Sequence, residues 1–342
     1  MRIVVMATGP FAVPTCKQLL AEGNEIPLVV VRPLVDPTAK KLPPTPVRDW
    51  AKENSLPIFE PQSINDAAAI AELEKYSAEL FFVCDYGQIL SKSCLSVPKL
   101  GGINLHGSLL PRHRGAAPVQ WALLSGDSEA GVSVIHMTPR LDAGPILAIA
   151  STKILPDENA GQLEPRLAEI GVEASLQAIQ QLSHWDGKSA IGTVQTHAGV
   201  TKAPRFAKPH GQLDFRLSAE YLVRLVRGLQ PWPGTFAELQ FPAGKQVRLL
   251  IRCARAVDYA SGRPTGEVWP CDTPELGMDW PSPGQTNPWQ RVLAVATGSG
   301  TLLIARLQPA GKREMDAEEF LRGHALLKGV KFILPEPPLG EL

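Results

Sequence analysis

Cysteine is scarce and awkwardly spaced in this chain. There are five, Cys16, Cys84, Cys94, Cys253 and Cys271, and no two of them form a CxxC or CxH pair. An odd, scattered set suggests neither a disulfide framework nor a zinc site, and free thiols in a reducing cytoplasm are expected. Long apolar runs are missing as well. None reaches the roughly 18–20 residues that a membrane helix needs. The opening Met1-Arg-Ile-Val-Val-Met-Ala-Thr8 has too short an apolar part, and no cleavage site after it, to be a secretory signal. A surplus of charge is absent too. The 34 Lys and Arg residues balance 34 Asp and Glu, which argues against nonspecific polyanion binding by the whole molecule. The first turn, Ala7-Thr-Gly-Pro10, lacks the GxGxxG of a dinucleotide-binding loop.

What is present suffices for two domains with cores of their own, in a chain of 342 residues with 44% apolar and 20% charged content. The first 150 residues alternate strand and helix patterns. Apolar runs stand at 3–6, 26–31, 80–84, 102–105 and 132–137, and helical periodicity at 11–22, 47–54 and 67–76. This alternation predicts an α/β fold: a Rossmann-like, mostly parallel sheet covered on both faces, with ligands outside the carboxyl ends of its strands. An amphipathic helix at 163–182 is expected to close that domain. Ser218 can cap a helix over 221–229, stopped by Pro231-Trp-Pro-Gly234. Short β-type runs at 235–239, 247–256, 266–269, 292–296 and 302–307 predict a smaller β-barrel. Residues 272–290, rich in Pro, Trp, Gly and Ser, read as an inserted surface loop. The expected division is a catalytic domain at 1–200, a basic linker at 201–210 and a barrel domain at 211–342. Charge is uneven along it: 201–255 holds ten basic residues against three acidic ones. That surplus fits a phosphate-bearing partner or, equally, a solvated basic face.

The chemistry concentrates at Asn104-Leu-His106. Side chains two apart on a strand share a face, so a carboxamide and an imidazole would meet one substrate together. Asp142, in Leu141-Asp-Ala-Gly144, follows another apolar strand on a loop that can turn back over the same strand ends. Acyl transfer to an amine needs a donor for the oxyanion, a proton carrier near neutral pKa and a carboxylate to orient it. Asn, His and Asp supply these in turn, and no Ser or Cys nucleophile is required. Spacing alone leaves open a purely structural His106.

The block from Gly102 to Pro118, INLHGSLLPRHRGAAP at its heart, with Leu-Asp-Ala-Gly at 141–144, resembles the 10-formyltetrahydrofolate-dependent formyltransferase family. The resemblance extends over nearly the whole chain. It takes in Pro44-Thr-Pro-Val47, Val83-Cys-Asp-Tyr-Gly87, Gly211-Gln-Leu-Asp-Phe215, Pro231-Trp-Pro-Gly234 and Leu307-Gln-Pro-Ala-Gly-Lys-Arg313. It implies that Asn104, His106 and Asp142 are catalytic, and that Ser108, Leu109, Leu110 and Pro111 lie along the folate. The implied reaction carries a formyl group from 10-formyltetrahydrofolate to the α-amine of methionine esterified to initiator tRNA, in the cytoplasm, with no metal. The implied second domain is OB-like and holds the tRNA. Lys202, Arg205, Lys208, Arg224 and Arg227 are its candidate contacts, with Lys40 and Lys41 in the loop after the second strand. Formyltransferases acting on glycinamide ribonucleotide or an amino-sugar nucleotide, and hydrolases that release formate, would share the trio. The first normally lacks a second domain, and the last would need a cleft closed to tRNA. Three departures stand out. Thr38 occupies a position where the family usually has arginine. Cys84-Asp85 replaces small apolar residues before Tyr86. The loop at 272–290 matches none of the motifs that carry the resemblance.

Overall fold

Ile3–Ala7, five consecutive residues without exposed surface, form β1 in the interior of the first sheet. Fully burying each such aliphatic side chain contributes about 1.5–3 kcal/mol, so this strand fixes where the core lies. In this computed structural model, which describes residues 1–34, 44–242, 244–273, 289–324 and 329–342, the chain divides into two units. The first comprises Met1–Ala122, Asp127–Leu155 and Gln162–Arg205, and the second Leu123–Gly126, Pro156–Gly161 and Phe206–Leu342.

After β1 come α1 (Val13–Ala21), β2 (Val29–Val30), α2 (Pro46–Glu53), β3 (Ile58–Phe59), α3 (Ala67–Glu74), β4 (Leu80–Cys84), α4 (Lys92–Leu95) and β5 (Gly102–His106). Then follow β6 (Arg114–Gly115), α5 (Pro118–Leu124), β7 (Glu129–His136), β8 (Ile146–Lys153), α6 (Ala160–Ser183) and β9 (Lys202–Ala203). The main sheet runs β3-β2-β1-β4-β5-β7-β8. The pairs from β3 to β5 are parallel, while β5–β7 and β7–β8 are antiparallel. β4, like β1, is buried along its whole length, as expected of a strand with both faces covered. β8 is exposed at alternate residues towards its end, and its weaker apolar signal hid it from the sequence reading. Part of the expected linker is also strand: β9 pairs in parallel with β6 within the first unit, because Ala203 is fully buried there.

In the second unit, Ser218 caps α7 (Ala219–Gly228), its hydroxyl accepting from the Tyr221 N–H. The strands are β10 (Thr235–Gln240), β11 (Gln246–Val257), β12 (Val268–Asp272), β13 (Arg291–Ala296), β14 (Thr301–Pro309), β15 (Met315–Asp316) and β16 (Lys331–Phe332), with α8 (Ala317–Gly323) before the last. They form an antiparallel sheet in the order β12-β13-β14-β11-β10-β16, with β15 against β14. β16 also bonds towards the opposite edge: Phe332 N–H donates to the Gly266 carbonyl at 2.8 Å, and Val268 N–H to the Val330 carbonyl at 3.0 Å. The sheet therefore curls until its two ends approach each other. Most of the expected inserted loop, residues 274–288, lies outside the described residues. All five cysteines are free, four of them buried and Cys253 half-buried. Among the described residues no helix is long and apolar enough to cross a membrane.

Candidate active site

The site is laid on the face of the main sheet. Strand register places Val83, Asn104 and Ile135 directly across from one another on β4, β5 and β7. Residues in such a row share one face, and all three line a cavity of about 440 Å³ in the first unit. Leu90 and Met137 add apolar wall, and Asp85, Asp142, Glu164 and Arg205 add charge. Mostly apolar lining with a few convergent polar groups is the usual build of a small-molecule pocket.

His106 stands two residues after Asn104, on the same face, and is only 6% exposed. Its Nε2 lies 3.0 Å from the carbonyl oxygen of His113. A carbonyl can only accept, so Nε2 carries a hydrogen and donates it. The other nitrogen, Nδ1, faces Asp142 Oδ2 at 3.8 Å. That gap is too long for a direct hydrogen bond, yet close enough for the carboxylate to stabilise a proton arriving on Nδ1.

The Asp142 carboxylate is held by a main-chain donor. Its Oδ2 accepts from the Gly115 N–H at 2.9 Å. Its own backbone is left-handed, with φ 48°, a conformation that Asp tolerates better than most residues. Gly115 is confined to glycine on two counts. Its φ is 135°, and a Cβ there would come within 2.5 Å of the Ala203 carbonyl oxygen. The β6–β9 pairing thus brings the donor to the carboxylate. Left-handed backbone recurs at the two neighbours, Asp85 with φ 49° and His113 with φ 57°. Clustered φ > 0 at non-glycine residues is a mark of functional sites.

Asp85 follows β4 directly and lines the cavity, keeping contact with solvent through its open side. Protein packed around the rest of it raises its carboxyl pKa. The charge of Asp142 adds to that rise, and His106 opposes it. Burial, with the nearby charge of Asp85, likewise raises Glu164 on α6. The sequence reading noticed Asp85 only as a departure and gave Glu164 no role.

The remaining expected site residues are distributed as follows. Asn104 and Asp142 both line the cavity, while His106 is buried outside that lining and meets Asp142 at 3.8 Å. Ser108–Pro111 continues from β5, but none of the four lines the cavity. Ser108 and Leu110 are buried, with the Ser133 hydroxyl donating to the Ser108 carbonyl at 2.8 Å and accepting from the Leu110 N–H at 3.0 Å. Lys202 and Lys208 are exposed, and Arg205 reaches the cavity wall. Arg224 packs its guanidinium over Gly126 within the second unit. Arg227 is half-buried, and its Nε donates to the Glu158 carbonyl at 2.8 Å, a structural contact that the charge count could not reveal. Thr38, Lys40 and Lys41 lie outside the described residues.

Comparison with known proteins places this geometry. Residues 1–179 match the Formyl transferase family model, and 205–325 match Formyl transferase, C-terminal domain. The methionyl-tRNA formyltransferase of Rhodopirellula baltica is 46% identical, over 98% of this chain and 97% of its own. That of Methylococcus capsulatus is 37% identical, over 95% of this chain and 98% of its own. Among solved structures, WlaRD, a sugar 3N-formyl transferase crystallised in the presence of dTDP and 5-N-formyl-THF, shares the fold with a TM-score of 0.61 at 14% identity. That likeness covers 92% of this chain and 99% of WlaRD. Both halves of the chain, and near-complete relatives at this level of identity, agree on one lineage: the chain belongs to the formyl transferase family.

Proposed function

We propose that this enzyme transfers the formyl group of 10-formyltetrahydrofolate to the α-amine of methionyl-initiator tRNA, in the cytoplasm, for translation initiation. The observation that carries the chemistry is His106 Nδ1 facing Asp142 across 3.8 Å, with Asp142 and Asn104 both lining the cavity. The near-full-length identity to methionyl-tRNA formyltransferases carries the choice of acceptor.

The cavity suits a folate head group in size and in its mixture of apolar wall and polar edge. A free α-amine has a pKa of about 7.7–8.0 and esterification lowers it, so much of the acceptor is already nucleophilic near neutrality. Asn104 donates to the oxygen that gains charge as the amine adds to the formyl carbon. Asp142 positions a water that takes the amine's proton and passes it to the bare Nδ1 of His106, and it balances the resulting imidazolium. The ring gives that proton to the departing folate nitrogen, directly or by way of the same oxygen, as the bond from that nitrogen to the formyl carbon breaks. Ser108–Pro111 shapes the edge of the folate site from behind rather than from its lining.

In this reading residues 1–200 form the catalytic domain and 211–342 an OB-like barrel that grips the tRNA, with 201–210 between them. The curled antiparallel sheet supports the barrel assignment. Lys202, Arg205, Lys208, Lys40 and Lys41 serve as phosphate or acceptor-end contacts, and Arg224 contributes a further one. Formyl transfer from labelled 10-formyltetrahydrofolate, compared across charged initiator tRNA, charged elongator tRNA and free methionine, tests the proposal. Transfer to the initiator alone is expected. Release of formate to water, or no preference among the acceptors, would overturn it.

A further inference from the structure

We infer that Gln195 is a positioning residue for formyl transfer, acting through Asp142; the inference rests on the function proposed above. Gln195 lies in an irregular stretch of the first unit, between Val194, which is 80% exposed, and the exposed Thr196. A residue so flanked adds little to an apolar core. Its amide is nevertheless fully engaged. Nε2 donates to the carbonyl oxygens of Asp142 at 2.9 Å and Gly144 at 2.7 Å, while Oε1 accepts from Arg114 Nε at 3.2 Å and Nη2 at 2.6 Å.

These partners are the two supports of one carboxylate. Asp142 and Gly144 bracket the turn whose left-handed residue aims the Asp142 side chain. Arg114 immediately precedes Gly115, whose N–H holds Asp142 Oδ2 at 2.9 Å. A single carboxamide therefore fixes the backbone beneath Asp142 relative to the donor in front of it. Without it, two carbonyls and a guanidinium lose their partner, and the left-handed turn is free to relax away from His106. An acceptor-only side chain cannot replace it, because the two carbonyls need a donor.

The test uses the full-length enzyme with charged initiator tRNA and labelled formyl donor, comparing wild type, Gln195→Met and Gln195→Glu, each also in an Asp142→Ala background. Gln195→Met should lower kcat about 10- to 100-fold, with KM for both substrates and the melting temperature nearly unchanged, as displacement of a reacting group by a fraction of an ångström does. Gln195→Glu should lose at least as much, although it keeps Arg114 as a partner. In the Asp142→Ala background neither change should lower residual single-turnover transfer further, the signature of action through that residue. Full kcat in Gln195→Met or Gln195→Glu, a rise in KM alone, or an equal loss in the Asp142→Ala background would each overturn the inference. Wild-type enzyme inactive on every acceptor would instead remove the function on which it rests.

Discussion

His106 gives its Nε2 hydrogen to the main chain of His113, 3.0 Å away, and so turns a bare Nδ1 towards Asp142. One backbone carbonyl thereby selects the tautomer. It leaves the nitrogen nearest the carboxylate as the one that takes up and releases a proton. The ring cannot flip without losing that contact, so its orientation is fixed before any substrate arrives.

The first consequence concerns the His106–Asp142 pair. Asp142→Asn keeps an oxygen for the Gly115 N–H but removes the charge that stabilises a protonated ring. Formyl transfer should fall about 100-fold or more, while far-ultraviolet circular dichroism and the melting temperature stay close to wild type. Steady-state kinetics beside a thermal melt checks this, and activity near wild type would refute the pairing.

Asn104 makes a separate prediction. Asn104→Ala removes a donor aimed into the cavity from its floor and leaves His106 and Asp142 in place. The loss should appear in kcat, at about 10²–10³-fold, because the bond strengthens only as the oxygen becomes charged. A change confined to KM for the folate donor would assign Asn104 to binding instead.

Asp85 links the site to pH. Protein packed around its inner side raises its pKa, opposed by His106 and aided by the charge of Asp142, while its open side stays in solvent. The folded state therefore holds this proton more tightly than the unfolded chain. Its contribution to stability is fully present below the unfolded value of about 3.9 and is lost as pH rises through the raised folded value. Asp85→Asn removes that loss. The variant should melt above wild type at neutral pH, by a margin that shrinks as pH falls towards about 4. Thermal melts across that range decide it, and a margin that grows on acidification would contradict the assignment.

The basic residues divide into two kinds. Lys202 and Lys208 are exposed, so Lys202→Ala and Lys208→Ala should weaken charged-tRNA binding without altering the melting temperature. Each should reduce the slope of log K against log salt by about 0.7–0.9. Arg227 is bonded to the Glu158 carbonyl, and Arg227→Ala should lower stability by about 1–2 kcal/mol. Filter binding at several salt concentrations, beside melts of all three variants, separates the two kinds.

Much of this was readable from the chain. Apolar runs such as Ile3–Ala7 and Leu80–Cys84 announce buried parallel strands because both their faces are covered. Asn104 and His106 share a face through simple period-two geometry. β8 escaped because it alternates buried and exposed residues, and because it begins just after the turn that carries Asp142. Gln195 escaped for a deeper reason. Its partners are two backbone carbonyls 53 and 51 positions away and an arginine 81 positions away, and pairings with backbone over such distances leave no local pattern. Arg227 counted towards a basic surplus in the sequence, while in the fold its guanidinium serves its own main chain.

Asp142 is restrained in front by an amide hydrogen that every residue except proline possesses. Only proline at position 115 would delete that donor. Any other substitution can merely displace it, and the crowding of Ala203 against Gly115 rules out nearly every one of them. A shift of β9 at residue 203, remote from the chemistry in sequence, would therefore be felt at the carboxylate as a catalytic defect.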